Sequence, residues 1–106
     1  MQQAEPPDVF NAIAHPVRRQ ILDALRTEDQ PVHVLAAPFA MSRPAISQHL
    51  KLLRDAGLVS EMRLGRERRY RLEPTRLRDV ADWLAQYEQF WAERLRNLGA
   101  YLESTK

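Results

Sequence analysis

A mainly α-helical domain carrying one small β-hairpin is the fold class this chain predicts, and three observations carry it. Prolines and glycines cut the sequence into short segments of apolar periodicity. The period changes from helical to alternating after Gly57 and returns to helical after Pro74. Beyond residue 75, apolar residues recur almost to the end. The resulting order is four helices, a basic hairpin and one long last helix, five helices in all.

Each element has a local cause. Pro6-Pro7 closes a leader, residues 1–7, expected to be flexible. Val9, Phe10, Ile13 and Ala14 make one small helix, and His15-Pro16 opens a second, with proline at a first helical position. That helix turns Val17, Ile21, Leu22 and Leu25 inward and keeps Arg18, Arg19, Asp23 and Arg26 outside. Residues 27–30 form a polar loop. Pro31 starts a short third helix through Val34-Leu35, which Pro38 limits. Ser42 is an N-cap for a fourth helix from Arg43 to about Ala56, and Pro44 is tolerated in its first turn because the N–H groups there lack helical partners. Gly57 stops it. Residues 58–72 then read as a hairpin turning at Gly65, with arginines at its tip. Thr75 can cap the last helix, from about residue 76 to 102.

Composition limits the function classes. One hundred and six residues allow one domain, at roughly 100–200 residues each. The chain has no cysteine, so disulfides, thiolate metal sites and cysteine nucleophiles are excluded. No apolar run is long enough to span a bilayer, and the first residues lack the basic and apolar regions of a signal peptide; a cytoplasmic protein without a membrane partner is expected. No phosphate-binding glycine loop, zinc-protease motif or nucleophile elbow occurs, so an enzyme is not expected. A domain this small buries a modest share of its surface, which favours a partner chain.

Charge is unevenly placed. Residues 43–71 hold eight basic and three acidic residues, a net +5, whereas the rest holds eight basic and eleven acidic, a net −3. A basic centre between mildly acidic flanks suits a polyanion, although a solvated arginine-rich loop would look the same. The fourth helix separates Ile46, Leu50 and Leu53, spaced to point inward, from Arg43, Ser47, Gln48, Lys51 and Arg54. An α-helix fits the major groove, where arginine matches guanine, glutamine matches adenine and serine serves either. With the short third helix and the turn at Phe39-Ala40-Met41, this makes a helix-turn-helix arrangement; the bland alternative is a polar face on an ordinary helix.

The literal residues go further. Ser42-Arg-Pro-Ala-Ile-Ser-Gln-His-Leu-Lys-Leu-Leu-Arg-Asp-Ala-Gly-Leu-Val59 resembles the recognition-helix signature of ArsR-type winged helix-turn-helix regulators. His15-Pro-Val-Arg-Arg-Gln-Ile-Leu22 is similar to that family's second-helix opening, and Arg69-Tyr-Arg-Leu72 to its returning wing strand. The match spans residues 8–74, and the aromatic pattern after it resembles a cysteine-free branch. The resemblance implies a single winged-helix domain, with a core over 8–74 and a dimerisation helix over 75–102. It implies a dimeric repressor on a palindromic double-stranded DNA operator, with residues 42–54 in the major groove and the wing at the adjacent backbone. Carried over residue by residue, Arg43, Ser47 and Gln48 read bases, while Ser42, His49 and Lys51 suit phosphate or helix bracing. Pro44 and Arg54 complete the helix set, and Arg66, Arg68 and Arg69 reach phosphate or minor groove from the wing tip. His49 has a rival role, hydrogen bonding within the domain.

Many such regulators sense metals. Aligned on Ser42, the family's paired third-helix cysteines fall at Pro31 and His33, and the last helix contains no histidine, so neither a metal site nor any cofactor is expected. His15 is read as a helix-starting residue and His33 as a surface side chain. The last helix carries a stripe of Leu77, Val80, Ala81, Leu84, Tyr87, Trp91, Leu95, Leu98 and Leu102, spaced to meet a partner helix. Val9, Phe10 and Ile13 of the first helix join this expected homodimer surface. Two readings stay open beside the repressor: a winged-helix protein-interaction module without DNA binding, and a sensor gated by an unidentified small apolar effector.

Overall fold

The computed structural model describes residues 8–104, so the leader expected at 1–7 lies outside the described residues. The elements are α1 (Val9–Ile13), α2 (Pro16–Ala24), β1 (Gln30–Pro31), α3 (Val32–Ala36), α4 (Arg43–Asp55), β2 (Val59–Leu64), β3 (Glu67–Leu72), a 3-10 turn (Pro74–Arg76), α5 (Leu77–Ala85) and α6 (Glu88–Ser104).

Side-chain caps set the helix starts. Asp8 accepts from the Asn11 N–H at 2.7 Å, a cap the sequence reading did not assign. His15 starts α2 as expected, its Nδ1 accepting from the Val17 N–H. Ser42 caps α4 by accepting from the Ala45 N–H at 3.3 Å. The far end of α4 closes in a Schellman turn: Leu58 N–H donates to the Leu53 carbonyl and Gly57 N–H to that of Arg54. Gly57 sits at φ 79°, where a side chain would be strained, and Leu53 and Leu58 are both fully buried. That turn delivers the chain directly into the wing.

The wing is the outer part of a three-stranded antiparallel sheet in the order β1-β3-β2. Gln30 pairs with Tyr70 and Pro31 with Arg69, so the expected loop ends in a two-residue strand. Too short to show alternation, it gave no sequence signal. The core gathers Ala12, Ile21, Leu25, Leu35, Ile46, Leu50, Leu53, Leu58 and Tyr70 from α1 to α4 and the sheet, and no polar or charged residue is buried among the described residues.

The C-terminal region departs from expectation. The single long helix is two, giving six α-helices among the described residues where five were expected. Around Gln86 and Tyr87 the backbone tightens to three-residue hydrogen bonds, Gln86 N–H to Trp83 and Tyr87 N–H to Leu84. No proline or glycine marks the break; it falls where packing against the core ends, since Leu77 and Val80 rest on the core while α6 is exposed. Thr75 lies in the 3-10 turn and caps nothing, and α5 begins without a side-chain cap. The radius of gyration is 18.6 Å, against about 13 Å for a compact chain of 100 residues, because α6 stands away from the domain. Among the described residues no helix is long and apolar enough to cross a membrane.

The expected dimer residues divide accordingly. Val9 is corrected to a core residue: at 4% exposure its side chain is turned into its own domain. Ile13, Leu77, Val80 and Leu84 are half-buried, and Ala81 is exposed. Phe10, Tyr87, Trp91, Leu95, Leu98 and Leu102 are exposed.

Candidate nucleic-acid interface

The amphipathic pattern of α4 is realised in three dimensions: Ile46, Leu50 and Leu53 are fully buried, and Arg43, Pro44, Gln48, Lys51 and Arg54 are exposed. The helix starts beside the wing. Arg43 and Ser47 from α4, Val32 and His33 from α3, and Arg66, Glu67 and Arg68 from the wing line one cleft of about 410 Å³. Two helices and a hairpin tip thus converge on one polar groove.

Within this set, hydrogen bonding sorts the residues. Arg43, Ser47, Gln48 and Arg66 have no side-chain hydrogen bond or ion pair among the described residues, so their donors are open to a ligand. Ser42 is engaged in capping, and Lys51 pairs with Asp55 at 3.1 Å. Arg54 is tied to Glu61 of β2. An exposed pair such as Lys51–Asp55 contributes little and exchanges readily for a phosphate.

The wing arginines lie elsewhere than expected. Only Arg66 is in the turn, beside Gly65 at φ 63°; Arg68 and Arg69 are strand residues of β3. The register pairs Glu61 with Tyr70 and Arg63 with Arg68, so Glu61 and Arg68 are diagonal neighbours on one sheet face. Arg68 Nε donates to Glu61 at 2.8 Å and Nη2 to the Tyr70 hydroxyl at 2.7 Å. Glu61 therefore holds Arg54 of α4 and Arg68 of the wing at once. Burial pushes its carboxyl up, but the two guanidiniums outweigh burial and hold it below the usual range. Burial pushes the Tyr70 phenol up, against the pull of Arg68. Arg69 points to the other side, donating to Glu67 and to the Asp29 carbonyl. Arg68 and Arg69 brace the wing in this structure, a role the hairpin-tip assignment did not foresee.

His49 takes partners inside the domain, Arg18 at 3.1 Å and the His15 ring at 4.6 Å between centroids. Two further basic residues belong to the surface. His33 reaches the cleft from α3, and Arg63, exposed and without a partner among the described residues, stands opposite Arg68. His33 needed the helix-turn-helix geometry to be found. Arg63 could have been found from the hairpin register alone. Among the described residues no group of three or more His, Asp or Glu is arranged to hold a metal ion.

A short helix and a longer amphipathic one, followed by a β-hairpin that flanks the same groove, define a winged helix-turn-helix domain of the DNA-binding type. Residues 15–61 match the bacterial regulatory protein family arsR. The chain is 39% identical over 80 residues to the transcriptional repressor SdpR of Bacillus subtilis, covering 76% of this chain and 89% of SdpR. It is 35% identical over 99 residues to the HTH-type transcriptional regulator Rv2034 of Mycobacterium tuberculosis, covering 93% and 90%. A crystal structure of an ArsR family transcriptional regulator superposes with a TM-score of 0.70 at 34% identity, over 78% of this chain and 91% of that one. This chain belongs to the arsR family. It is a DNA-binding transcriptional regulator and not an enzyme.

Proposed function

We propose that the protein is a repressor, working in the cytoplasm where its DNA is, and binding a palindromic operator as a two-fold dimer. The observation that carries the DNA half of this reading is the cleft in which Arg43, Ser47, His33 and Arg66 converge, with Arg43 and Arg66 unpaired among the described residues. Arg43, Ser47 and Gln48 read base edges. Arg66 meets phosphate from the wing turn, joined by Arg63 and His33, while Ser42, Pro44 and Lys51 approach the backbone at either side of the reading helix. Arg54 and Arg68 hold the wing at a set angle to α4 through Glu61, Arg69 holds it from its other face, and His49 braces the helix. Repression is the activity named for SdpR, whose length this chain largely covers.

The dimer half rests on the C-terminal helices. A core over 8–74 carries α5 on its side, and α6 extends Phe90, Trp91, Leu95 and Leu98 away from it. A contiguous apolar surface of this kind suits another protein surface more than water. Phe10 of α1 joins it through an edge contact with Trp83 at 5.8 Å. A second copy places two reading helices on successive major-groove faces, about 34 Å apart. The effector-gated alternative finds less support: Tyr87, Phe90, Trp91 and Arg94 border about 330 Å³, but all four are exposed on a helix surface.

Selection of bound duplexes from a random pool tests both halves. A two-fold symmetric motif is expected. Absence of any enriched sequence would favour the protein-interaction module, and an asymmetric single site would refute the dimer.

A further inference from the structure

The hydrogen bonds of Arg18 reach beyond its own helix. From α2, its Nε donates to the Ala12 carbonyl at 2.7 Å and its Nη2 to the Asn11 carbonyl at 3.1 Å, both on α1. Its Nη1 lies 3.1 Å from Nδ1 of His49, midway along α4. A guanidinium only donates, so His49 Nδ1 is the bare nitrogen and Nε2 carries the proton. His15 has the same tautomer, because its Nδ1 accepts from the Val17 N–H. One side chain thus ties α1 and α2 to the helix that lines the groove, and α1 in turn touches α5 through Phe10 and Trp83.

The groups around His49 decide what a proton would do there. Arg18 and His15 face it from the α2 side, and α1 offers Arg18 carbonyl oxygens rather than a carboxylate. The carboxylate that β2 presents to α4, Glu61, is taken up by Arg54 and Arg68. A proton on Nδ1 would aim an N–H at the Arg18 N–H with no anion to compensate. Burial first, then His15 and Arg18, hold the His49 imidazole below its ordinary pKa.

We propose that Arg18 is a positioning residue for DNA binding: by donating to neutral His49 it fixes the reading helix on α1 and α2, and protonation of His49 releases it. The inference rests on the reading of α4 as the helix that enters the groove. Since the folded pKa is depressed, the clamp is complete above about pH 6.5 and is lost as the pH falls through the lower folded value. Its strength follows from chemistry: a donor from a charged group to a half-buried acceptor is among the stronger hydrogen bonds.

Two substitutions separate the nitrogens of His49. Asparagine puts its Oδ1 where imidazole has Nδ1 and keeps an acceptor for Arg18; glutamine reaches instead toward the Nε2 position. Affinity for the duplex recovered from the random pool, measured from about pH 8 down to about pH 4.5 so that a lowered imidazole transition is crossed, should be retained in His49→Asn with a flatter pH profile than wild type. His49→Gln and Arg18→Lys should each weaken binding about tenfold, the order of one charge-assisted hydrogen bond. The double variant should be no weaker than either single one. Glutamine is the better helix former, so this ranking cannot come from helix propensity. Nitrogen NMR reads the clamp without DNA: Nδ1 of His49 should be pyridine-like in wild type and lose that bias in Arg18→Lys. Equal losses in the Asn and Gln variants, or one shared pH profile for wild type and His49→Asn, would overturn the clamp. Undiminished binding by Arg43→Ala would instead sink the reading of α4 on which it rests.

Discussion

The two ends of the molecule are left open in opposite chemical senses. At the cleft between α4 and the wing, the hydrophobic work is finished, with Ile46, Leu50 and Leu53 at full burial, and what remains is polar: the donors of Arg43, Gln48 and Arg66. Along α6 the situation is reversed. Trp91 is 51% exposed and Leu95 68%, on a helix that contributes no residue to the core among the described residues. A surface of open donors is complemented by an anion, whereas a surface of open apolar side chains is complemented by another apolar face. The contrast keeps the proposed DNA site and the proposed dimer surface on separate parts of one small domain.

The largest expected effect tests the apolar end. Trp91→Glu combined with Leu95→Glu should leave the core folded by circular dichroism, since neither residue belongs to it. With about 2 kcal/mol or more from each central interface residue, self-association should fall at least a hundredfold. Light scattering that finds an unchanged dimer would break the comparison at this end.

Next comes base reading at the polar end. Gln48→Ala should lower affinity for the selected operator by about 1–3 kcal/mol while barely changing affinity for scrambled duplex. Competition isotherms on the two duplexes decide it, and equal losses on both would reduce Gln48 to a backbone contact.

A smaller effect separates the wing arginines. Arg66→Ala should lower the logarithmic salt slope by about 0.9 for each phosphate it ceases to neutralise, doubled in a symmetric dimer. Arg68→Ala should change the slope less, because Glu61 and Tyr70 already occupy its guanidinium. Titrations at several salt concentrations that reverse this order would show that Arg68 leaves Glu61 when DNA binds.

The smallest expected effect is none. Chelator and stoichiometric zinc, nickel or copper should leave operator affinity unchanged, since the chain lacks cysteine and α5 and α6 lack histidine. A tenfold shift that His33→Ala abolishes would mean that a metal site had been overlooked.

How much of this was legible beforehand follows from the range of each interaction. Helix α4 was readable almost to the residue, because its cap at Ser42, its apolar spacing and its glycine stop are all local and agree with one another. The wing was readable as a hairpin for the same reason, and the motif residues named the family. The kink at Gln86–Tyr87 was not readable, because nothing in its residues breaks a helix; the break follows from where packing stops. Strand β1 was invisible because two residues carry no period, and its pairing with β3 joins parts of the chain about forty residues apart.

The sequence by itself determined the order of helices and hairpin, the polar face of α4 and the absence of thiolate chemistry, since these depend on residue type and short spacing. The tertiary structure alone decided which basic residues are open. Arg54 and Arg68 are both drawn to Glu61, Arg18 is spent on α1 and His49, and Val9 turns inward. Arginines look alike along a chain; the nearest carboxylate or carbonyl, brought close by folding, is what makes one a brace and leaves another free.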